Sequence, residues 1–109
     1  MIKVYIASPY TLGDVNLNVK RQMEIANTLI DNGFAPFVPL YYHFQNETYP
    51  RPYEDWVKLG IVWLKNCDCL LRLQGISKGA DIEVEVAKKL NLPIFYFIEI
   101  LIDYYEYIK

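Results

Sequence analysis

The chain has little of what metal and triad chemistry requires. His43 is its one histidine in 109 residues, so a Ser-His-Asp triad or a histidine-rich metal site has almost nothing to build on. Cys67 and Cys69 are the two cysteines, in "NCDCLL". No second ligand pair lies near them, so they read as two buried thiols in a reducing compartment rather than half of a zinc site. No run of lysine or arginine occurs and the net charge is −2, which argues against nucleic acid or a membrane surface as partner. No apolar run approaches membrane-spanning length. The strand-like "IKVYIA" at the start leaves no room for a charged leader segment, and the expected location is cytoplasmic. What remains for chemistry is carboxylates and tyrosines, the latter ten in number. Neither a metal nor a cofactor is expected.

A hydrophobic content of 53% with 22% charged residues describes a chain that forms a core. Its length fits one domain over residues 1–109. "IKVYIA" predicts a buried first strand. "SPYTLGD" is turn-rich, with Asp14 placed to cap a helix from Val15. Val15, Val19, Met23, Ala26 and Ile30 predict that helix's apolar stripe, and Gly33 its left-handed end. "FAPFVPL" predicts a second strand, and "YYHFQNETYPRP" a polar, aromatic loop. A helix is expected to start near Pro52, with Trp56, Leu59, Gly60, Trp63 and Leu64 on one face. "CDCLLRL" predicts a third strand, "QGISKG" a turn, and a helix follows to about Asn91. "LPIFYFI" predicts a fourth strand and "EILIDYYEYIK" a closing helix.

Alternating strand and helix predicts a doubly wound α/β fold: about four parallel strands in the order 2-1-3-4, with helices on both faces. In such sheets the ligand crevice lies where the strand order reverses, beyond the carboxyl ends of strands 1 and 3. The loops there are Ser8–Gly13 and Gln74–Gly79.

The stretch "ISKGADIEVEVAKKL" opens the helix after the second of these loops and carries Asp81, Glu83 and Glu85. At about 100° per residue, Ala80, Val86, Ala87 and Leu90 fall on one side, and Asp81, Glu85, Lys88 and Lys89 on the other. Glu83 lands near the centre of the apolar side, beside Leu90, Ala87 and Gly79, where the glycine allows close helix–strand packing. A glutamate on a packed face is paired or functional. One reading is a structural glutamate bonded to a tyrosine or a backbone donor; the other is a reagent. Asp81 and Glu85 read as solvent-facing helix charges, Glu85 with Lys89 as partner. In the first loop, Ser8, Tyr10, Thr11 and Gly13 lie between a strand and a helix start, a geometry that serves an ordinary turn or an anion or hydroxyl site. The loop has neither the glycine spacing of a dinucleotide fingerprint nor the Gly-Lys-Ser/Thr of a P-loop.

Several stretches together resemble the nucleoside 2-deoxyribosyltransferase-like superfamily, in its short bacterial and phage branch. They are "VYIASPYT" at 4–11, "GFAPFVPL" at 33–40, "EDW" at 54–56, "LKNCDCLLRL" at 64–73 and "SKGADIEVEVA" at 77–87. The resemblance implies that Glu83 is a nucleophile that attacks the anomeric carbon of a 2-deoxyribose, with Tyr5 orienting it. It implies a substrate pocket from Ser8, Pro9, Tyr10, Thr11 and Gly13, from Ser77 and Gly79, and from Asp55 and Trp56. Cleavage or exchange of the N-glycosidic bond of a nucleoside or its 5′-monophosphate would follow. The aromatic residues of "YYHFQNETY" would stack on a base, and a homodimer or larger homo-oligomer would form. The resemblance departs at Gly60, where active members carry an aspartate. Asp55 is the nearest substitute in that helix. A non-catalytic module that binds or senses nucleotides through the same pocket is the alternative.

Overall fold

In a computed structural model, residues 1–108 are described, and they form four strands and five α-helices. The order is β1 (Lys3–Ala7), α1 (Val15–Asp31), β2 (Ala35–Phe37), a single 3-10 turn (Pro39–Tyr41), α2 (Tyr42–Thr48), α3 (Tyr53–Leu64), β3 (Cys69–Arg72), α4 (Lys78–Lys89), β4 (Ile94–Phe95) and α5 (Ile98–Ile108). All pairings are parallel and the sheet order is β2-β1-β3-β4, as expected from the sequence.

β1 is central and explains the two-sided core. Its side chains alternate between faces, so Val4 and Ile6 point one way while Tyr5 and Ala7 point the other. Val4 and Ile6 pack with Ala26 and Leu29 of α1, Leu71 of β3, and Leu101 and Tyr105 of α5. Tyr5 and Ala7 pack with Leu64 of α3, Leu70 of β3, and Ala80, Val84 and Ala87 of α4. Tyr5 stands opposite Phe37 and Leu70 in the register and has no exposed surface. An aromatic ring therefore rises from the middle of the sheet into the α3/α4 layer.

The helix ends follow local chemistry. The Asp14 carboxylate accepts from the Leu17 N–H at 3.1 Å and caps α1. Gly33 takes φ +84° just after α1, a left-handed conformation that favours glycine. Ser77 accepts from the Ala80 N–H at 3.1 Å and caps α4.

Several expectations need correction. The buried stripe of α1 is Val19, Gln22, Ala26 and Leu29; Met23 and Ile30 are exposed. Its turn around the helix axis admits a polar residue that the apolar pattern passes over. The strand expected over "FAPFVPL" is only Ala35–Phe37, its Pro39 and Leu40 entering the 3-10 turn, and most of the segment expected as a loop after it is α2. α2 has no buried residue of its own; tertiary hydrogen bonds hold it and the 3-10 turn before it, from the Trp56 indole to Asn46 Oδ1 of α2 (2.9 Å) and from the Leu40 N–H of the turn to Gln22 Oε1 (2.9 Å). Helices anchored this way leave no apolar period in the sequence. β4 has two residues rather than seven, and Cys67 lies half-buried before β3 while Cys69 alone is buried within it. On α4 the buried face is Ala80, Val84 and Ala87, with Leu90 exposed, so Glu83 lies at its edge rather than its centre.

Candidate functional site

Glu83 projects from the edge of α4 towards α3, where it meets Tyr5. The Tyr5 hydroxyl donates to Glu83 Oε2. The two groups come from opposite ends of the chain, one from the central strand and one from the first turns of α4. Burial pushes the Glu83 carboxyl up to about 7 from its ordinary 4.5, against the opposing pull of the Tyr5 hydrogen bond and the Arg72 guanidinium. Burial also drives the Tyr5 hydroxyl far above the usual phenol range, and the facing carboxylate adds to the effect. Tyr5 is therefore a permanent donor, and Glu83 takes or releases a proton near neutrality.

Gly60 makes this pairing possible. A β-carbon at that position would lie 2.6 Å from the Tyr5 hydroxyl oxygen and 3.5 Å from Glu83 Oε2. The glycine thus serves close approach of α3 to the pair, and the space over it is filled by the hydroxyl. No carboxylate fits at position 60 while Tyr5 keeps this position.

Glu83 and Tyr5 face a cavity of about 90 Å³. Of the residues singled out from the sequence, Ser8, Tyr10, Trp56, Ser77 and Gly79 share its walls with them. A second compartment of about 390 Å³ adjoins it through the shared walls Tyr10, Tyr53, Ser77 and Gly79, and adds Thr11 and Lys78. Together the two compartments reach the size of small-molecule sites, which begin at about 300 Å³. Tyr53 stands between them. A β-carbon at Gly79 would come 2.1 Å from the Tyr53 hydroxyl oxygen, so this glycine serves contact between α4 and α3, not between α4 and a strand.

Four singled-out residues line neither compartment: Gly60, which lies against the Tyr5 hydroxyl, and Pro9, Gly13 and Asp55. Pro9 is buried beside Gly75, whose added β-carbon would meet the proline ring at 2.7 Å. Gly13 is exposed at φ +86°, shaping the turn into α1. Asp55 turns to Arg51, 3.4 Å away, and does not substitute for a carboxylate at position 60. Asp81, read as a free helix charge, pairs with the buried Arg72 at 3.0 Å. Arg72 also donates to the carbonyls of Leu73 and Gly75, which fixes the turn leading to α4. Glu85 pairs with Lys88 at 3.3 Å instead of Lys89.

The structure adds Gln22, His43 and Tyr53 to the cavity walls, and of the aromatic residues expected from "YYHFQNETY" it brings Tyr42 there. Gln22 has no exposed surface. Its amide donates to the Ile6 carbonyl (3.1 Å) and to Ser8 Oγ (2.8 Å), while its oxygen accepts from Leu40 N–H. One side chain thereby ties the end of β1, the first loop and the 3-10 turn together. The test that singled out Glu83, a polar residue on an apolar helix stripe, finds Gln22 once the stripe is drawn through Val19, Ala26 and Leu29. His43 and Tyr42 give no such signal, because α2 does not reveal itself as a helix. Tyr42 and Trp56 form an aromatic pair with centroids 5.2 Å apart, offering a flat apolar wall.

A family model described as "Domain of unknown function (DUF7768)" matches residues 2–97. No curated protein matches the sequence. Among solved structures, the 2-deoxyribosyltransferase of the psychrotolerant bacterium Bacillus psychrosaccharolyticus aligns with a TM-score of 0.62 and 20% identity. The alignment covers 84% of this chain and 69% of that one. The relation is distant and lies at the level of fold.

Proposed function

We propose, from the premise that the chain belongs to the family described as Domain of unknown function (DUF7768), that its cavity cleaves or exchanges the N-glycosidic bond of a deoxynucleoside or its 5′-monophosphate. Glu83 is the nucleophile in this reading. The observation that carries it is a carboxyl pushed up to about 7, bonded to the Tyr5 hydroxyl and facing a cavity at the reversal point of the sheet. The fold shared with a 2-deoxyribosyltransferase is consistent with that chemistry.

Ionised Glu83 forms a bond to the anomeric carbon as the bond from that carbon to the base nitrogen breaks, and the bonding pair leaves with the base. Water or a second base then attacks the glycosyl ester from the face the first base left, the bond to the Glu83 oxygen breaks, and configuration is retained. Tyr5, locked by burial on the sheet, holds the carboxylate oxygen in one direction and limits the geometry of attack. Tyr42 and Trp56 offer the base a flat wall, and the outer compartment with Thr11 and Lys78 lies open to the rest of the substrate.

Gly60 favours a second reading. Active members of the resembling superfamily carry a carboxylate there, and this chain has a Tyr5 hydroxyl in that space. A module that binds nucleotides without cleaving them fits the same walls. Incubation with deoxynucleosides and their 5′-monophosphates, followed by chromatography for free base, separates the two. Released base is the expected result. Saturable calorimetric binding with no base released over long incubation would replace the enzyme with the binding module.

A further inference from the structure

We infer that Tyr10 is the acid that protonates the departing base, and that His43 and Glu47 supply and hold its proton. This rests on the reading of Glu83 as a glycosidic nucleophile. It provides the proton donor that position 60 does not.

Three groups are joined in a line that runs from the cavity wall to solvent. The Tyr10 hydroxyl lies 2.6 Å from His43 Nδ1, and His43 Nε2 lies 2.8 Å from Glu47 Oε1. Each imidazole nitrogen thus has one oxygen partner. Tyr10 and His43 line the same cavity as Glu83, and they come from different parts of the chain, the loop after β1 and α2. The Asn18 side-chain amide donates to the Tyr10 carbonyl at 2.9 Å and to the Leu12 carbonyl at 3.0 Å, so the loop that presents Tyr10 is fastened to α1. Glu47 is open to solvent, with 60% of its side chain exposed, whereas His43 keeps 14%. Protons therefore have a way in from water at one end, and the phenol faces the cavity at the other. Burial and the nearby Glu47 raise the Tyr10 hydroxyl above its ordinary range, which keeps it a phenol at neutral pH.

The proton balance is simple. In the imidazolium form, His43 donates from Nδ1 to the Tyr10 oxygen and from Nε2 to Glu47. The Tyr10 O–H is then free to point at a ring nitrogen of the base. As Glu83 bonds to the anomeric carbon, the pair from the breaking C–N bond moves into the base. The Tyr10 proton passes to the base nitrogen, and the Nδ1 proton passes to Tyr10. Neutral His43 remains, still donating to Glu47. The second half-reaction returns the proton, taken from water or from the acceptor base.

A leaving group that needs no proton separates this role from a structural one. A 7-methylated purine deoxynucleoside already carries a positive charge, and its base departs neutral. Tyr10→Phe should slow base release from 2′-deoxyguanosine by about 10²-fold or more, yet slow release from the 7-methylated analogue by less than about fivefold. His43→Gln should show the same contrast. Because both substrates meet the same preparation, a partly unfolded variant lowers both rates alike and leaves their ratio unchanged. Equal losses on both substrates in both variants, or no loss on either, would overturn the relay while leaving Glu83 as nucleophile. If the wild-type chain releases base from neither substrate, the reading of Glu83 fails and takes the relay with it.

Discussion

Glu83→Gln should abolish base release and also make the fold more stable at neutral pH. The first effect removes the group that bonds to the anomeric carbon, a loss of at least about 10³-fold in turnover. The second follows from the environment of the carboxyl. Burial raises it to about 7, and neither the Tyr5 hydroxyl nor Arg72 brings it back to 4.5. As pH rises from 4.5 to 7 the unfolded chain gives up this proton while the folded chain keeps it. The contribution of Glu83 to stability is therefore fully present below about 4.5 and is lost as pH rises through about 7, on the order of 3 kcal/mol. Glutamine has the same shape, stays neutral, and still accepts from Tyr5 through its carbonyl. Thermal unfolding of both chains should show little difference at pH 4 and a higher Tm for the variant at pH 8. Base release by the wild-type chain from a 7-methylated purine deoxynucleoside, whose base needs no proton to leave, should rise with pH through about 7, as the nucleophile ionises. A variant less stable than wild type at pH 8 would mean that the charged carboxylate supports the fold, and that the site stores no strain for chemistry.

Gly60→Ala should be harmful in the wild-type chain and harmless once the Tyr5 hydroxyl is gone. In an ordinary helix interior, alanine stabilises by about 1 kcal/mol relative to glycine. Here the new methyl group would sit 2.6 Å from the Tyr5 hydroxyl oxygen, on a ring with no exposed surface. Overpacking of that kind costs roughly 1–3 kcal/mol, and displacing the hydroxyl breaks a hydrogen bond to a charged group worth about 1.5–3 kcal/mol. The net effect is a loss of about 1.5–5 kcal/mol in stability, with base release falling as Tyr5 loses its hold on Glu83. In a Tyr5→Phe background the obstructing atom is absent, and Gly60→Ala should become neutral or stabilising. Denaturant midpoints for the four chains of this cycle give the coupling directly. A Gly60→Ala cost that is the same in both backgrounds would show that the glycine serves something other than room for the hydroxyl.

The strand order could be read from the sequence because β1 and β3 are continuous apolar runs separated by helix-sized segments, which in a parallel sheet leaves few arrangements. Glu83 was legible for a related reason: a carboxylate that shares a helix side with Ala87 breaks the apolar pattern and draws notice. Its exact place was not, since a wheel places angles but does not show which sector the sheet covers; the sheet covers Ala80, Val84 and Ala87. Gln22 escaped because the stripe drawn through Met23 and Ile30 ran beside the buried one. Gly60 was read as a missing carboxylate, and only coordinates place the Tyr5 hydroxyl over it. The Tyr10–His43–Glu47 line was out of reach of sequence periodicity. It depends on a seven-residue helix that Trp56 bonds at Asn46 and on the 3-10 turn before it, which Gln22 bonds at Leu40, and neither donor–acceptor pair is near in sequence.

The central claim is a covalent bond between Glu83 and the sugar. A deoxynucleoside bearing fluorine on the sugar carbon next to the anomeric centre slows both steps by destabilising positive charge at that centre, so a glycosyl ester should accumulate. Intact-mass and peptide mass spectrometry after incubation should find one sugar added to the peptide that spans α4, on Glu83, with none in Glu83→Gln. Base release from the unmodified nucleoside with no sugar adduct on the fluorinated one, or an adduct on any other residue, would contradict the account.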